Sequence, residues 1–336
     1  MSRSPGLQAA RRGDRVAAAA LLLVCWSLAA CGVTRGEESR DLLMIIPNSP
    51  GGGYDQTGRA AVSAMEDNDV TGGSFTVQNV IGAGGASAMT SLVGNAGDEH
   101  TLMTVGLGVV GSTYSAGSAY GVQDGTALAQ LMSEPEAVLV PADSPFRTMD
   151  DLVEAWTEDP GALAIGGGSS PGGPDHLFPM QLADEVGIDP NQVNYVPYDG
   201  GGPLTSALLG SKIDVGFSGP AEFEGQVADG ELRLLAVSGE ARSPQETFAD
   251  VPTLVESGID LVFLNWRGVL APPEISASRR EELIGYLETM HATPQWQEQL
   301  VVNGWTDDFK TGEEFADFIE EQDARVSGTL EELGLL

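Results

Sequence analysis

The chain has 336 residues, 42% of them hydrophobic, with 49 acidic against 16 basic side chains and a formal charge of −33. So acidic a chain offers no basic surface for phosphates, which excludes nucleic acid as a partner. Two cysteines exclude a disulfide framework and a thiolate metal site, and the length is enough for two domains with sizeable cores.

At the N-terminus, Arg3, Arg11, Arg12 and Arg15 lead into an apolar run from Val16 to Ala30 that only Ser27 interrupts. The run is shorter than the ~20 residues a membrane-spanning helix needs. It ends in Leu28-Ala29-Ala30-Cys31, small residues before a cysteine, and so resembles a bacterial lipobox. The expectation is a signal peptide over residues 1–30, cut before Cys31, which then carries a lipid. An ordinary cleavage site next to a cysteine is the plainer alternative. Losing four Arg and one Asp takes the formal charge from −33 to −36. Cys25 leaves with the signal, so no internal disulfide remains. Residues 31–40 read as a polar tether.

From there apolar strand-like runs alternate with amphipathic stretches. The strand candidates are Leu42–Pro47, Phe75–Val80, Leu102–Leu107, Ala137–Pro141, Leu163–Gly166, Gln192–Val196, Ile213–Phe217, Leu232–Val237 and Leu261–Leu270. Thr148 with Asp151 forms a capping-box pattern for a helix through Trp156. Pro294 suits the first turn of a helix running to Val302 and ending at Gly304. Residues 312–336 have the apolar spacing of a docking helix. Alternating β and α predicts an α/β fold of largely parallel sheets flanked by helices.

Four glycine clusters each follow a predicted strand and precede a helix: Gly51-Gly52-Gly53, Gly82 with Gly84-Gly85, Gly166-Gly167-Gly168 with Gly172-Gly173, and Gly200-Gly201-Gly202. A tight turn explains any one of them. Four in the same setting favour an anion site lined by backbone N–H groups at helix N-termini, beyond the carboxyl ends of the strands.

Motifs for chemistry are sparse. Gly210-Ser211-Lys212-Ile213 lacks the upstream glycine and the following Ser/Thr of a phosphate-binding loop. Gly216-Phe217-Ser218-Gly219-Pro220 has proline where a nucleophile elbow has its second glycine. His100, His176 and His291 have no metal-ligand spacing, and Asp175-His176 reads as a loop-fixing pair before it reads as half of a catalytic one. Neither a cofactor nor a metal is called for. A hydrolase using Ser218 or His176 remains the enzymatic alternative.

Five stretches, taken in order, resemble one family: IIPNSPGGGYDQTGRA (45–60), VQNVIGAGGASAM (77–89), IGGGSSPGGPDHL (165–177), VPYDGGGPLTSALLGSKIDVGFSG (196–219) and VPTLVESGIDLVFLNWRGVLAPPEIS (251–276). The family is the substrate-binding receptors of bacterial tripartite tricarboxylate transporters. The resemblance implies a two-domain periplasmic-binding-protein-like clamshell, with residues 41–138 plus 253–336 in one domain and 139–252 in the other. It implies crossover strands near 135–142 and 250–255. It also implies capture without chemistry of a small organic carboxylate, a di- or tricarboxylate such as citrate, and delivery to membrane permease subunits by a monomer. A sensory receptor serving a signalling kinase is a second role compatible with capture.

Carried over by position, Ser49, Pro50, Gly51, Gly52 and Gly53 would form the anion loop of the first domain. Asp55 would cap the next helix or fix a bridging water. Gly84 and Gly85 would line the same wall. From the second domain would come Ser169 and Ser170, Gly172, Tyr198, Gly200, Gly201 and Ser218. Arg59 and Arg267 would be paired with acids, with Arg267 able to meet an extra ligand carboxylate.

Overall fold

A computed structural model of the chain describes residues 41–198 and 200–336. The expected signal peptide, tether and lipidated Cys31 lie outside the described residues. The chain from Asp41 to Leu336 forms one compact unit built on two sheets.

The first sheet begins with β1 (Leu42–Ile46), α1 (Gly53–Asp67), β2 (Phe75–Asn79), α2 (Ala86–Gly94), β3 (Thr101–Gly106) and α3 (Leu107–Ser115). Then β4 (Thr126–Pro135) runs out of this sheet and β5 (Ala137–Pro141) enters the second, with Glu136 between them. The second sheet continues with α4 (Met149–Glu158), β6 (Ala164–Gly167), α5 (Pro174–Glu185), β7 (Asn194–Pro197), α6 (Gly201–Leu209), β8 (Val215–Ser218), α7 (Glu224–Ala228) and β9 (Leu232–Val237). The chain returns to the first sheet as β10 (Leu264–Ala271) and closes with α8 (Ala277–His291), α9 (Pro294–Asn303), β11 (Lys310–Thr311) and α10 (Gly312–Glu332).

The strand orders are β11-β4-β10-β3-β1-β2 and β7-β6-β8-β5-β9. β1 pairs in parallel with β2 and β3, and β6 with β7 and β8, as strands joined through helices must. The remaining pairs are antiparallel, so the sheets are mixed rather than largely parallel. The cause lies in the crossings. β4 leaves the first sheet and β10 re-enters it as a neighbour, so the two run in opposite senses.

The return crossing also differs from expectation. Residues 250–255 lie along β9, with Val237 N–H donating to Pro252 O and Leu254 N–H to Val237 O, both at 3.0 Å. The chain passes back at Phe263–Leu264. There Ser238 ties both crossings together: its Oγ accepts Glu136 N–H at 2.8 Å and donates to Phe263 O at 2.5 Å.

The cores follow from the apolar spacing. On one face of the first sheet, Ala61 and Met65 of α1 meet Met44 and Ile46, with Leu283, Leu287, Trp296 and Leu300 from α8 and α9. On the other face, Leu92, Val109, Phe315, Ile319 and Leu330 join a cluster that continues through Phe263, Phe178 and Phe217 into the second sheet. Phe263 stacks on Phe178 with centroids 5.2 Å apart. The capping box at Thr148 forms in both directions, Asp151 N–H to Thr148 Oγ1 at 3.2 Å and Thr148 N–H to Asp151 Oδ2 at 2.9 Å. α9 ends at Gly304 in the left-handed conformation, φ 66°.

Candidate functional site

A cavity of about 620 Å³ is lined by residues of both sheets, a size typical of small-molecule sites. One wall carries the loop 47–54 after β1, the loop 81–84 after β2, and Gly108 and Ser112 of α3. The other carries 168–170, 173–175, Tyr198, 200–202, Ser218, Gly219 and Glu222. The crossings contribute Glu134, Glu136, Asn265 and Arg267.

Of the residues expected from sequence, Ser49, Pro50, Gly51, Gly52, Gly53, Gly84, Ser169, Ser170, Tyr198, Gly200, Gly201 and Ser218 all line this cavity. Asp55, Gly85 and Gly172 stand behind it. Asp55 accepts hydrogen bonds from Gly51 N–H, Arg59 Nε and Asn79 Nδ2, each at 2.9 Å. Burial opposes its charge, but these bonds prevail and hold the carboxyl below its usual range. It fixes the first loop, and Asn79 assists by donating to Asn48 O at 2.9 Å. Gly85 packs against Val109 and Pro47. Gly172 meets Gly111 of α3, backbone against backbone, where the two walls touch.

The helices that start around the cavity share a feature. α1, α2, α3, α5 and α6 are N-capped by Gly52, Gly85, Gly106, Gly173 and Gly200, none of which offers a side-chain cap, although Tyr54 Oη accepts Val109 N–H of α3 and Ser169 Oγ accepts Asp175 N–H of α5, both at 3.1 Å. By contrast α4, α8 and α9 are capped by the hydroxyls of Thr148, Ser276 and Thr293. A side-chain cap satisfies one of the free N–H groups in a first turn; its lack leaves those groups for another acceptor.

On the second wall the protein itself supplies much of that acceptor. Gly168 N–H donates to Asp175 Oδ2 at 2.8 Å, and Gly201 N–H to Glu222 Oε2 at 3.2 Å. Gly200 N–H donates to Gly168 O and Gly173 N–H to Ser170 O, both at 2.8 Å. The expected anion contacts of Gly200 and Gly201 therefore do not run through their N–H groups, which are already engaged. The uncapped first turn of α1 is the stronger anion position.

Arg267 is buried and ion-paired with Glu134, which also accepts from Asn265 Nδ2 at 3.2 Å. Its guanidinium lies 5.7 Å from the Tyr54 ring centroid and occupies the space where a side chain at position 53 would stand, which is why Gly53 is glycine. Its charge is thus matched within the protein.

Three further carboxylates line the cavity. Glu136 is 1% exposed and its Oε2 has no hydrogen-bond partner. Burial, with Asp175, Glu134 and Glu222 nearby, drives its pKa well above the usual carboxylate range. Asp175 is raised by burial to about 6, against the hydrogen bonds of Ser218, Gly168 and Ser169. Glu222 is raised toward about 7 by desolvation within the cleft and by the Asp175 and Glu134 charges. It is exposed, so water tempers the effect.

His176 is buried, lowered to about 4 by desolvation, and its Nδ1 accepts Gly172 N–H at 3.1 Å. It fixes the loop, with Nδ1 already engaged by the Gly172 N–H. Ser218 and His176 do not form a nucleophile–base couple. Among the described residues no three His, Cys, Asp or Glu side chains are grouped to hold a metal ion.

Glu134, Glu136, Glu222 and Asn265 went unrecognised as cavity residues from sequence. The signal for two of them was present: Glu134-Pro135-Glu136 places two acids inside the otherwise largely apolar stretch 126–141. Charges there need a local reason to be buried.

Comparison with known proteins adds the identity. The model of the tripartite tricarboxylate transporter family receptor matches residues 60–335. The UPF0065 protein in the gbd 5′ region of Cupriavidus necator is 30% identical over 299 residues, covering 88% of each chain. Two solved structures share the fold. MatC from Rhodopseudomonas palustris, with bound malate, is 21% identical with a TM-score of 0.73, over 86% of this chain and 99% of its own. R. palustris Rpa4515, with adipate, is 20% identical with a TM-score of 0.78, over 89% and 98%. The two-sheet α/β chain with its cleft of glycine-capped helices therefore belongs to the tripartite tricarboxylate transporter receptor family, as a solute-binding receptor and not an enzyme.

Proposed function

We propose that this receptor is exported, anchored through a lipid on Cys31, and captures a small organic carboxylate between two lobes built on the two sheets. The loaded, closed form then docks on membrane permease subunits, and the receptor works as a monomer without a cofactor. The observation that carries the carboxylate is the set of first turns at the cavity, above all that of α1, which begins at glycine without a side-chain cap. Such a turn presents N–H groups and the positive end of a helix dipole to an anion. Two fold neighbours, one with bound malate and one with adipate, point the same way. Citrate is the tricarboxylate to try first.

Capture by closure requires contacts to both lobes that exist only in the closed state. Ser49 to Gly53 on one wall, with Ser169 and Ser170 on the other, fit that requirement. A thermal-shift screen of di- and tricarboxylates tests the reading. A ligand at 100 times its Kd adds ~2.7 kcal/mol to folding stability, readily seen as a raised melting temperature. A screen in which no carboxylate raises it contradicts the assignment.

A further inference from the structure

The carboxylate-receptor reading leaves the acids of the cavity unexplained. Four carboxylates line it, Glu134, Glu136, Asp175 and Glu222, against one cationic side chain, Arg267. Arg267 is spoken for by Glu134. That leaves three acids facing the same space with no cationic partner among the lining residues. Two of them also accept backbone N–H groups that would otherwise serve an anion, Asp175 from Gly168 and Glu222 from Gly201.

Glu136 is the telling one. It lies between β4 and β5 at the crossing and lines the cavity, 1% exposed, with Oε2 buried and bonded to nothing in the protein. A buried polar atom without a partner is costly and calls for one. Two anionic ends of a dicarboxylate would place one of their charges against this cluster. A protonated amino group would place three N–H donors there, which is what unpaired carboxylate oxygens accept best. A divalent cation is the other positive partner, but no three acidic or imidazole side chains among the described residues are grouped to hold one.

Resting on the carboxylate-receptor reading, we infer that the ligand carries a protonated amino group as well as a carboxylate, with the carboxylate at the first turn of α1 and the amino group received by Glu136, Asp175 and Glu222. The ligand class is then an amino-carboxylate and not a plain dicarboxylate. A ligand of this kind adds no net charge to a cavity that already holds an excess of acids. It also explains why one wall offers uncapped N–H groups while the other fills them with its own carboxylates.

Calorimetry on the mature chain with matched probes tests this: succinate against 4-aminobutyrate, glutarate against 5-aminopentanoate, adipate against 6-aminohexanoate, and the common α-amino acids against their deaminated counterparts. The expected result is at least one amino-carboxylate that binds tenfold or more tightly than its match. Glu136→Gln, which keeps the shape and cannot ionise, should weaken that compound roughly 10- to 150-fold, the worth of one hydrogen bond to a charged group. The same variant should bind the matched dicarboxylate no worse than the wild type. Asp175→Asn supplies the same readout should Glu136→Gln melt early. Dicarboxylates that bind more tightly than their amino partners, and tighten further at low pH, would show the cavity acids acting as protonated donors. That overturns the inference and leaves the receptor reading standing. Binding of no carboxylate of either class overturns both.

Discussion

Gly111→Ala perturbs a place where the two walls meet backbone to backbone. Gly111 lies within α3, on the first-sheet side, and Gly172 lies in the loop that leads into α5 on the other. A Cβ at Gly111 would stand 2.9 Å from Gly172 Cα and inside contact with the Gly172 carbonyl, where ordinary contacts begin at 3.4 Å. The obstruction is backbone, so no rotamer relieves it and the seam must part. Ser115, whose Oγ donates across the seam to Pro171 O at 2.9 Å, loses that bond. The retreating loop carries Ser169 and Ser170 away from the opposite wall. Two hydrogen bonds to a charged ligand are worth ~1.5–3 kcal/mol each, so affinity should drop roughly 10²- to 10⁴-fold. The unliganded chain should not suffer in proportion, because Ala is better than Gly within a helix by ~1 kcal/mol. Calorimetry against the compound found by screening reads the first effect, and thermal melting without ligand reads the second. Wild-type affinity in Gly111→Ala would mean that the Gly111–Gly172 seam is no part of the ligand-bound state.

Arg267→Gln should cost ~3–5 kcal/mol of stability in chemical denaturation, because it strands Glu134 as a buried, unpaired charge; an unchanged midpoint would show that the pair is not a structural anchor. Asp175 holds its proton to about pH 6 when folded and only to 3.8 when unfolded, so its contribution to stability is lost as pH rises from about 4 to about 6, by up to ~3 kcal/mol. His176, lowered from 6.5 to about 4, works in the opposite sense and loses stability as pH falls through that window. Asp175→Asn removes the first and leaves the second, so its melting temperature should drop relative to wild type between pH 7 and pH 5; superimposable profiles would refute a buried, protonated Asp175. Cys31→Ser should abolish membrane retention or leave the precursor uncut, and a correctly processed variant that stays on the membrane would remove the lipid anchor from the account.

The elements that sequence showed well are those whose signals are local. The capping box at Thr148, Pro294 at the start of α9 with Gly304 at its end, and glycines between strand and helix each depend on a few neighbouring residues. Twelve of the fifteen positions expected in the cleft line one cavity for the same reason: a loop between strand and helix in an open α/β sheet lies at the strand's carboxyl end. β4 was missed because Gln130, Ser133 and Glu134 break its apolar pattern, although all three are buried. Glu134 is partnered by Arg267 and Asn265, and Gln130 donates to Asp308 Oδ2 at 2.7 Å, all more than a hundred residues further on, which no local pattern shows. Asp55, Gly85 and Gly172 have the residue types of a ligand loop but serve the scaffold. Only three-dimensional packing separates a glycine that faces a ligand from one that faces another backbone.

For this receptor we propose reversible capture of a carboxylate without chemistry. The direct measurement is calorimetric titration of the mature chain with each compound that raises its melting temperature, followed by release and recovery of that compound. Saturable binding at one site per chain is expected, with the compound recovered unaltered after prolonged incubation. Steady appearance of a product, or stabilisation by compounds that lack a carboxylate and not by those that carry one, would contradict it.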